Sequence, residues 1–256
     1  MSSDHLLFEK KDNIATITLN RPRIMNAMSA EMTTDLYDAV MQIRSDKDTR
    51  IVIFKGAGEH FCSGADMNLF DENTTSQEWL EAMQMVSQIV RTIREIPQPV
   101  ITMMRGVAVG AGSNLALASD FVVGADDARF CEIFINIGAI VDYGGHYFLP
   151  RLVGLAKARE LAMLGNEISG RKAADMGLIY KSVPEEDLEK EVDTLVNQLL
   201  QKSAFALALI KEGLEKSFDR SLKEVLDWEA SHQSIALKTP QHVEIVQAFK
   251  KLKGIA

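Results

Sequence analysis

The most informative part of the chain is residues 100–118, which read VITMMRGVAVGAGSNLALA. The apolar segment Val100 to Met104 has the composition of a buried strand, and a turn of small residues, Gly106 to Ser113, follows it. A helix-like piece then runs from Asn114 to Ala118. A strand that leads through a glycine-rich turn into a helix presents free backbone N–H groups, with the positive end of the helix dipole behind them. The stretch therefore predicts a binding site for a phosphate or for the negative oxygen of a polarised carbonyl.

A carboxylate follows in a second tight segment, Val141 to Gly145, which contains Asp142. An aspartate in a turn is usually a cap or turn residue, and local patterns favour the interpretation that Asp142 caps a helix starting near Gly144. If its side chain instead faces the glycine turn, it converts a binding site into an acid/base site.

A similar loop occurs earlier, from His60 to Met67, after a buried strand at Ile51 to Phe54. One interpretation is an ordinary strand-to-helix connection, and the other is a backbone N–H at Ala65 that points into a cavity. The turn around Gly110 has the same two interpretations, since small residues also allow a strand and a helix to pack closely. Two such loops, each following a strand of one sheet, would supply two N–H donors, which is the arrangement of an oxyanion hole.

Composition and charge exclude several classes of protein. The chain has 256 residues, of which 46% are apolar and 25% charged, as in an ordinary soluble globular protein. The net charge of −8 argues against a nucleic-acid partner, and no apolar run reaches the roughly 18 residues of a membrane span. Two cysteines, Cys62 and Cys131, make no disulfide framework and fit a reducing, cytoplasmic setting.

The order of predicted elements favours an α/β fold. Strands alternate with helices up to about residue 143, with helices predicted over 30–44, after a Ser29 cap, and over 77–96. The pattern suggests a spiral of ββα units. Seven helical segments follow residue 144, interrupted by one predicted strand from Leu178 to Val183.

Other catalytic and cofactor motifs are missing from the sequence. The glycine turn is not G-x-G-x-x-G, which argues against dinucleotide binding. The five histidines show no metal-ligand spacing, and no Gly-x-Ser-x-Gly nucleophile elbow occurs. We therefore expect neither a metal nor a separate cofactor.

Several segments taken together, in this order and spacing, resemble the enoyl-CoA hydratase/isomerase (crotonase) family. The matching pieces are Ile17 to Pro22 with Asn26-Ala27, Phe61 to Met67, Pro99 to Gly112, Ala118 to Phe121, Leu149 to Gly154 and Ala173 to Leu178. The resemblance covers nearly the whole chain.

The resemblance implies a crotonase-like spiral of ββα units, with an α/β core over residues 1–195. It implies that residues 196–256 form a helical C-terminal trimerisation region, which packs on the core and on neighbouring subunits of a homotrimer or homohexamer. The substrate it implies is an acyl-CoA thioester, so coenzyme A enters as part of the substrate. Its carbonyl oxygen would lie between the N–H groups of Ala65 and Ala111. Further substrate contacts would fall on Ala27, Asp66, Met67, Gly112, Asn114 and Phe134.

This chain departs from the hydratases of the family at their two catalytic glutamates, which fall on Asn114 and Phe134 here. Glu132 is close in sequence, but if it begins a strand, a two-residue shift moves it about 7 Å along that strand. Asp142 falls where several isomerases of the family have their single acidic residue. The run from Gly138 to Arg151 is most similar to the ring-opening isomerases of aerobic phenylacetate breakdown.

These residues lead to a mechanistic hypothesis. Double-bond migration needs one group that removes a proton from one carbon and returns it to another, and Asp142 suits this role. Three alternatives stay open. The first is a hydratase of an unusual dienoyl or cyclic substrate, which uses Asp142 or Glu132 to place water. The second is a dehalogenase or hydrolase of aromatic acyl-CoA with Asp142 as nucleophile, and the third is a thioester-binding protein with a decayed site.

Overall fold

A computed structural model describes residues 4–255 of the chain. The described strands are β1 (Leu6–Lys11), β2 (Ile14–Leu19), β3 (Ile51–Gly56), β4 (Val100–Met104), β5 (Val107–Val109), β6 (Phe121–Ala125), β7 (Arg129–Cys131), β8 (Ile168–Ser169) and β9 (Lys181–Val183). The described α-helices are α1 (Ala30–Ser45), α2 (Ser76–Glu95), α3 (Ala111–Leu117), α4 (Gly145–Leu164), α5 (Gly170–Asp175), α6 (Leu188–Leu200), α7 (Ala204–Glu215), α8 (Leu222–Ala236) and α9 (Pro240–Lys253).

The strands form two sheets. The larger has six strands in the order β1-β2-β3-β4-β6-β9, with β1 antiparallel to β2 and the other pairs parallel. The smaller has three strands in the order β5-β7-β8. Its β5 and β7 are parallel, and β8 runs antiparallel to β7. Helices pack on the larger sheet and enclose one continuous apolar core. The α/β prediction is therefore confirmed.

Local sequence signals explain most element boundaries. The Ser29 side chain accepts a hydrogen bond from Met32 N and caps α1, as predicted. Asp12 and Asn13, with φ of 49° and 67°, form the tight turn between β1 and β2. Gly154 leaves the helical conformation with φ 72° and ψ 162°, which breaks α4 into the two predicted segments.

The structure corrects three expectations about the strands. The residues predicted as one turn, Gly106 to Ser113, contain strand β5 and the first turn of α3, so the helix begins at Ala111 rather than Asn114. The strand predicted from Leu178 is shorter and begins at Lys181. The two glycine loops also follow strands of different sheets, because β3 belongs to the larger sheet and β5 to the smaller.

The C-terminal third is helical, as predicted. Helix α6 still contributes Leu195, Val196 and Leu199 to the core, so it continues across the expected boundary at residue 195. Helices α7, α8 and α9 contain no fully buried residue. The division into 1–195 and 196–256 stays a prediction.

Candidate active site

The two glycine loops lie side by side, although they leave different sheets. Cys62 N donates to Val107 O at 2.9 Å, and Val109 N donates to Cys62 O at 3.0 Å. The first loop thereby pairs with β5 through a parallel bridge between Cys62 and Ala108. This long-range pairing fixes the position of Gly64 and Ala65 relative to the start of α3.

The amide of Ala65 is available to a ligand. Met28 N donates to Gly64 O at 2.8 Å, and Asp66 N donates to Met28 O at 2.9 Å. In a parallel bridge of this kind, the N–H of the intervening residue points away from the paired segment. Within residues 4–255 the Ala65 amide donates to no protein acceptor.

The amide of Ala111 is available for a different reason. Ala111 is the first residue of α3, so no carbonyl lies one turn earlier in the helix to accept from it. The residue before each donor is a glycine with a left-handed backbone, with φ 97° at Gly64 and 56° at Gly110. A methyl group added to Gly64 would lie 2.8 Å from Val109 O and 3.8 Å from Ala111 N. The main chains of Ala65 and Ala111 therefore border the same gap, and their role as a pair of oxyanion donors stays a prediction.

Asp142 does not cap α4, contrary to the local interpretation of its turn. The residue that caps the helix is Gly144, at φ 82°, and it has no side-chain cap hydrogen bond. The Oδ1 atom of Asp142 is buried and has no hydrogen-bond partner among the described residues. Burial raises the pKa of this carboxyl to about 6. The backbone amide of Asp142 lowers this pKa in part. A partly buried carboxylate with one oxygen free of partners suits a proton-accepting group more than a structural one.

The segment that contains Asp142 packs against α3, and its Tyr143 lies within electrostatic reach of Cys62 in the first glycine loop. A methyl group added to Gly145 would lie 2.5 Å from the terminal atoms of the Asn114 side chain. Tyr143, with φ 48°, is buried among apolar residues. Burial raises the pKa of Tyr143, and the charges of Asp142 and Cys62 act in the same direction. The fold thus brings the carboxylate to the same region as the two loops.

A second carboxyl group, Glu132, lies beside Asn114 of α3, and the sequence offered it a role only in the hydratase alternative. Glu132 follows β7 and precedes a 3₁₀ helix, Ile133–Ile137. It therefore does not begin a strand, and the expected displacement of about 7 Å along one does not apply. Its side chain is fully buried and makes hydrogen bonds of 3.1 Å with Ser113 Oγ and with Asn114 Nδ2. Burial raises its pKa to about 7, and the charge of Asp142 adds to this shift. The sequence signal was a lone acidic residue within the apolar run from Phe130 to Ile137.

Asp66 has a structural partner. Its carboxylate accepts from Arg21 Nη1 at 2.8 Å and from Asn68 N at 3.0 Å. The Asn68 amide and Arg21 both lower the pKa of Asp66. Arg21 also donates to Ala27 O at 2.7 Å, which ties the segment before Ala27 to the first loop. Ala27 is buried below this pair, whereas the Met67 side chain is 69% exposed at the rim.

The remaining predicted contacts line or support the second loop. A methyl group on Gly112 would lie 2.5 Å from Cys62 O, so Gly112 allows the close packing of α3 on the first loop. Phe134 is buried, and its ring lies 3.7 Å from the position of a methyl group on Gly110. Asn114 is fully buried between Glu132 and Gly145, and its Oδ1 has no partner among residues 4–255.

The described part of the chain offers neither a metal-binding cluster nor a membrane-spanning helix. Residues 4–255 contain no group of three or more His, Cys, Asp or Glu residues arranged to hold a metal ion. None of the helices in this range is long and apolar enough to cross a lipid bilayer.

The chain belongs to the enoyl-CoA hydratase/isomerase family, because residues 9–253 match the model of that family. It is 34% identical to the 1,2-epoxyphenylacetyl-CoA isomerase of Escherichia coli K12, over 96% of this chain and 95% of the relative. It is 29% identical to the crotonyl-CoA hydratase of Syntrophomonas wolfei, over 97% and 96% of the two chains. The crystal structure of an enoyl-CoA hydratase from Bacillus anthracis superposes with a TM-score of 0.91 at 30% identity, over 96% of both chains. The crotonase-like fold that the sequence predicted is therefore confirmed.

Proposed function

We propose that this enzyme moves the double bond of an enoyl-CoA, with Asp142 as the group that carries the proton. The observation that carries the proposal is the buried, unpartnered Oδ1 of Asp142 in a segment packed on α3, the helix that begins at Ala111. Its pKa of about 6 leaves the carboxylate ionised at neutral pH, yet makes it a stronger base than an exposed aspartate.

In this mechanism the Ala65 and Ala111 amides hold the thioester oxygen. Asp142 removes a proton beside the double bond, and the negative charge moves onto that oxygen as an enolate. The protonated Asp142 then delivers the same proton to the distant carbon. Each amide is worth about 3–4 kcal/mol of barrier by comparison with other oxyanion holes, and proton transfer by a positioned side chain contributes about 10²–10⁴-fold in rate.

Isomerisation accounts for the residues better than hydration through the family's glutamate pair. The two positions where the family's hydratases carry glutamates are Asn114 and Phe134 in this chain. Asn114 is fixed in a buried hydrogen bond, and Phe134 has no proton to give. The 34% identical relative is named as an isomerase, which supports the same reaction class.

A second candidate is hydration by Glu132 and Asp142 together, and the observation that favours it is the burial of Glu132 beside the site. Two carboxyl groups can divide the work of activating water and delivering a proton. Against this candidate, the Glu132 side chain has no exposed surface, and both of its oxygens are held by hydrogen bonds to side chains of α3.

The test is to identify the product. Straight-chain, cyclic and aromatic-derived enoyl-CoAs are incubated with the enzyme in H₂¹⁸O, and the products are read by mass spectrometry and NMR. We expect a product of unchanged mass with a shifted double bond. A hydroxyacyl product that carries ¹⁸O would instead establish the hydratase.

Two other outcomes would replace the proposal. An acyl or aryl group bound covalently to Asp142, trapped by rapid quenching, would establish nucleophilic chemistry. Binding of thioesters without turnover across the whole panel would establish a decayed site. Asp142→Asn is the inactive reference, and Asp127→Asn, which changes an exposed carboxylate, is the matched control.

We further propose that the protein assembles as a homotrimer or homohexamer. Support comes from α7 to α9, which carry exposed apolar side chains that include Leu214, Phe218 and Leu222 at 68–74% exposure. Light scattering of the purified protein tests this, and a monomer at micromolar concentration would contradict it.

A further inference from the structure

Glu132 is an unusual carboxyl group because it is buried without a cation. Its side chain has no exposed surface, and its hydrogen-bond partners are the uncharged side chains of Ser113 and Asn114. The charged group that acts on it is Asp142, which is itself acidic. A buried carboxylate without a positive partner is costly, so the protonated form is favoured.

The hydrogen bonds around Ser113 also favour a proton on Glu132. The Ser113 hydroxyl has one proton, and its Oγ lies 2.7 Å from Gly110 O but 3.1 Å from Glu132 Oε1. The other carbonyl within reach, Cys131 O, is farther at 3.4 Å. If the proton goes to Gly110 O, Ser113 Oγ is left as an acceptor. Glu132 Oε1 then needs its own proton to complete the contact, while its other oxygen accepts from Asn114 Nδ2 at 3.1 Å.

We propose that Glu132 is a positioning residue of this enzyme. It acts as a neutral carboxylic acid that fixes the start of α3, and it leaves Asp142 as the one carboxylate charge beside the thioester. The part that concerns catalysis rests on the proposed isomerisation. Ser113 and Asn114 are in the first turn of the helix whose first amide, Ala111, is an oxyanion donor. A neutral Glu132 holds that turn in place without placing a second negative charge near the enolate.

The other titratable groups nearby stay neutral around pH 7. Burial raises the pKa of Cys131, the neighbour of Glu132 on β7, to about 11, and it also raises that of Cys62 in the first loop. Burial likewise raises the pKa of Tyr143. The ionisations that remain are those of Asp142, near 6, and Glu132, near 7. Because the two carboxyls interact, the measured values belong to the pair.

These ionisations predict a bell-shaped dependence of kcat/KM on pH. The rise on the acid side follows ionisation of Asp142. The fall on the alkaline side follows ionisation of Glu132, which brings a second charge close to the developing enolate. If the doubly ionised form is inactive, the fall is roughly tenfold per pH unit above the second pKa.

The experiment compares Glu132→Gln with wild type between pH 5 and 9. Glutamine keeps the size of the side chain. Its amide N–H donates a hydrogen bond to Ser113 Oγ at every pH, in place of the proton of the carboxylic acid. We expect the variant to keep the acid limb and to lose the alkaline fall, so that its kcat/KM stays level above pH 7. Glu9→Gln, which changes an exposed glutamate of β1, should keep the wild-type profile. An alkaline fall that persists in Glu132→Gln, or a uniform loss of activity with an unchanged profile, would overturn the proposal.

A measurement on the wild-type protein covers the case in which the variant does not fold. Infrared difference spectra of protein labelled with ¹³C-glutamate follow the protonated carboxyl band as pH changes. We expect one glutamate to stay protonated well above the ordinary value of about 4.3. If every glutamate loses its proton below pH 5.5, the proposal is wrong. Since this readout needs no turnover, it also separates a failure of the Glu132 proposal from a failure of the isomerase proposal.

Discussion

Replacing Asp142 by asparagine should stabilise the folded protein at alkaline pH, although it removes the proposed base. Burial raises the pKa of Asp142 from 3.8 to about 6, so between these values the folded state binds a proton that the unfolded chain has lost. The free energy of unfolding therefore falls as pH rises through this window and stays at its lower value above it. Each pKa unit corresponds to about 1.4 kcal/mol, which sets an upper limit of about 3 kcal/mol.

Asp142 keeps some contact with solvent, which screens its charge and reduces the expected effect. We expect Asp142→Asn to gain about 1–3 kcal/mol at pH 8 and much less at pH 4. For a chain of this length, this corresponds to a rise in Tm of roughly 2–10 °C.

The assay is thermal unfolding of the wild type and the variant at pH 4, 6 and 8, at the same protein concentration. Asp127→Asn removes an exposed carboxylate from the same part of the chain and should shift Tm little at any pH. A loss of stability in Asp142→Asn at pH 8 would refute the reasoning. It would mean that a favourable contact holds the carboxylate, rather than a buried position without a partner.

Three further predictions concern residues around the site. The free energy of unfolding of Glu132→Gln should exceed that of the wild type by at most about 3 kcal/mol at pH 8 and by little at pH 4, because the variant lacks a buried acid of raised pKa. An equal Tm shift at both pH values would argue against that cause. Gly112→Ala should cost about 1–3 kcal/mol in denaturant unfolding, since its methyl group would meet the main chain of Cys62; unchanged stability would show that α3 can move away. Asp66→Asn should cost about 1–3 kcal/mol and raise KM, because it leaves the partly buried guanidinium of Arg21 without its charged partner; a KM equal to that of the wild type would separate this pair from substrate binding.

Local sequence signals predicted the regular elements well, because each carries its own cap or periodicity. Ser29 caps α1 through its side chain, as expected, and Ser169 caps α5 in the same way. Strand β5 escaped prediction because it has three residues between two glycines, which resembles a turn. Its partner strand β7 is distant in sequence, so only the folded chain shows that Val107–Val109 is extended.

The residues that meet at the site could not be predicted from local sequence patterns, because long-range contacts bring them together. The convergence of the two glycine loops follows from the pairing of Cys62 with Ala108, across two sheets. Asp142 looked locally like a cap, and the left-handed Gly144 takes that position instead. Glu132 precedes a 3₁₀ helix and not a strand, and its burial against Ser113 and Asn114 is visible only in the folded chain. The family resemblance predicts Ala65, Ala111 and Asp142 as site residues, and it predicts no buried glutamate at position 132.

The most direct test of the central claim measures turnover and binding of Asp142→Asn side by side. Isomerisation of an enoyl-CoA that the wild type accepts is followed by NMR, and binding of the corresponding saturated acyl-CoA by calorimetry. The single-carboxylate mechanism predicts a rate about 10²–10⁴-fold lower with an unchanged Kd. A variant that isomerises nearly as fast as the wild type would contradict it.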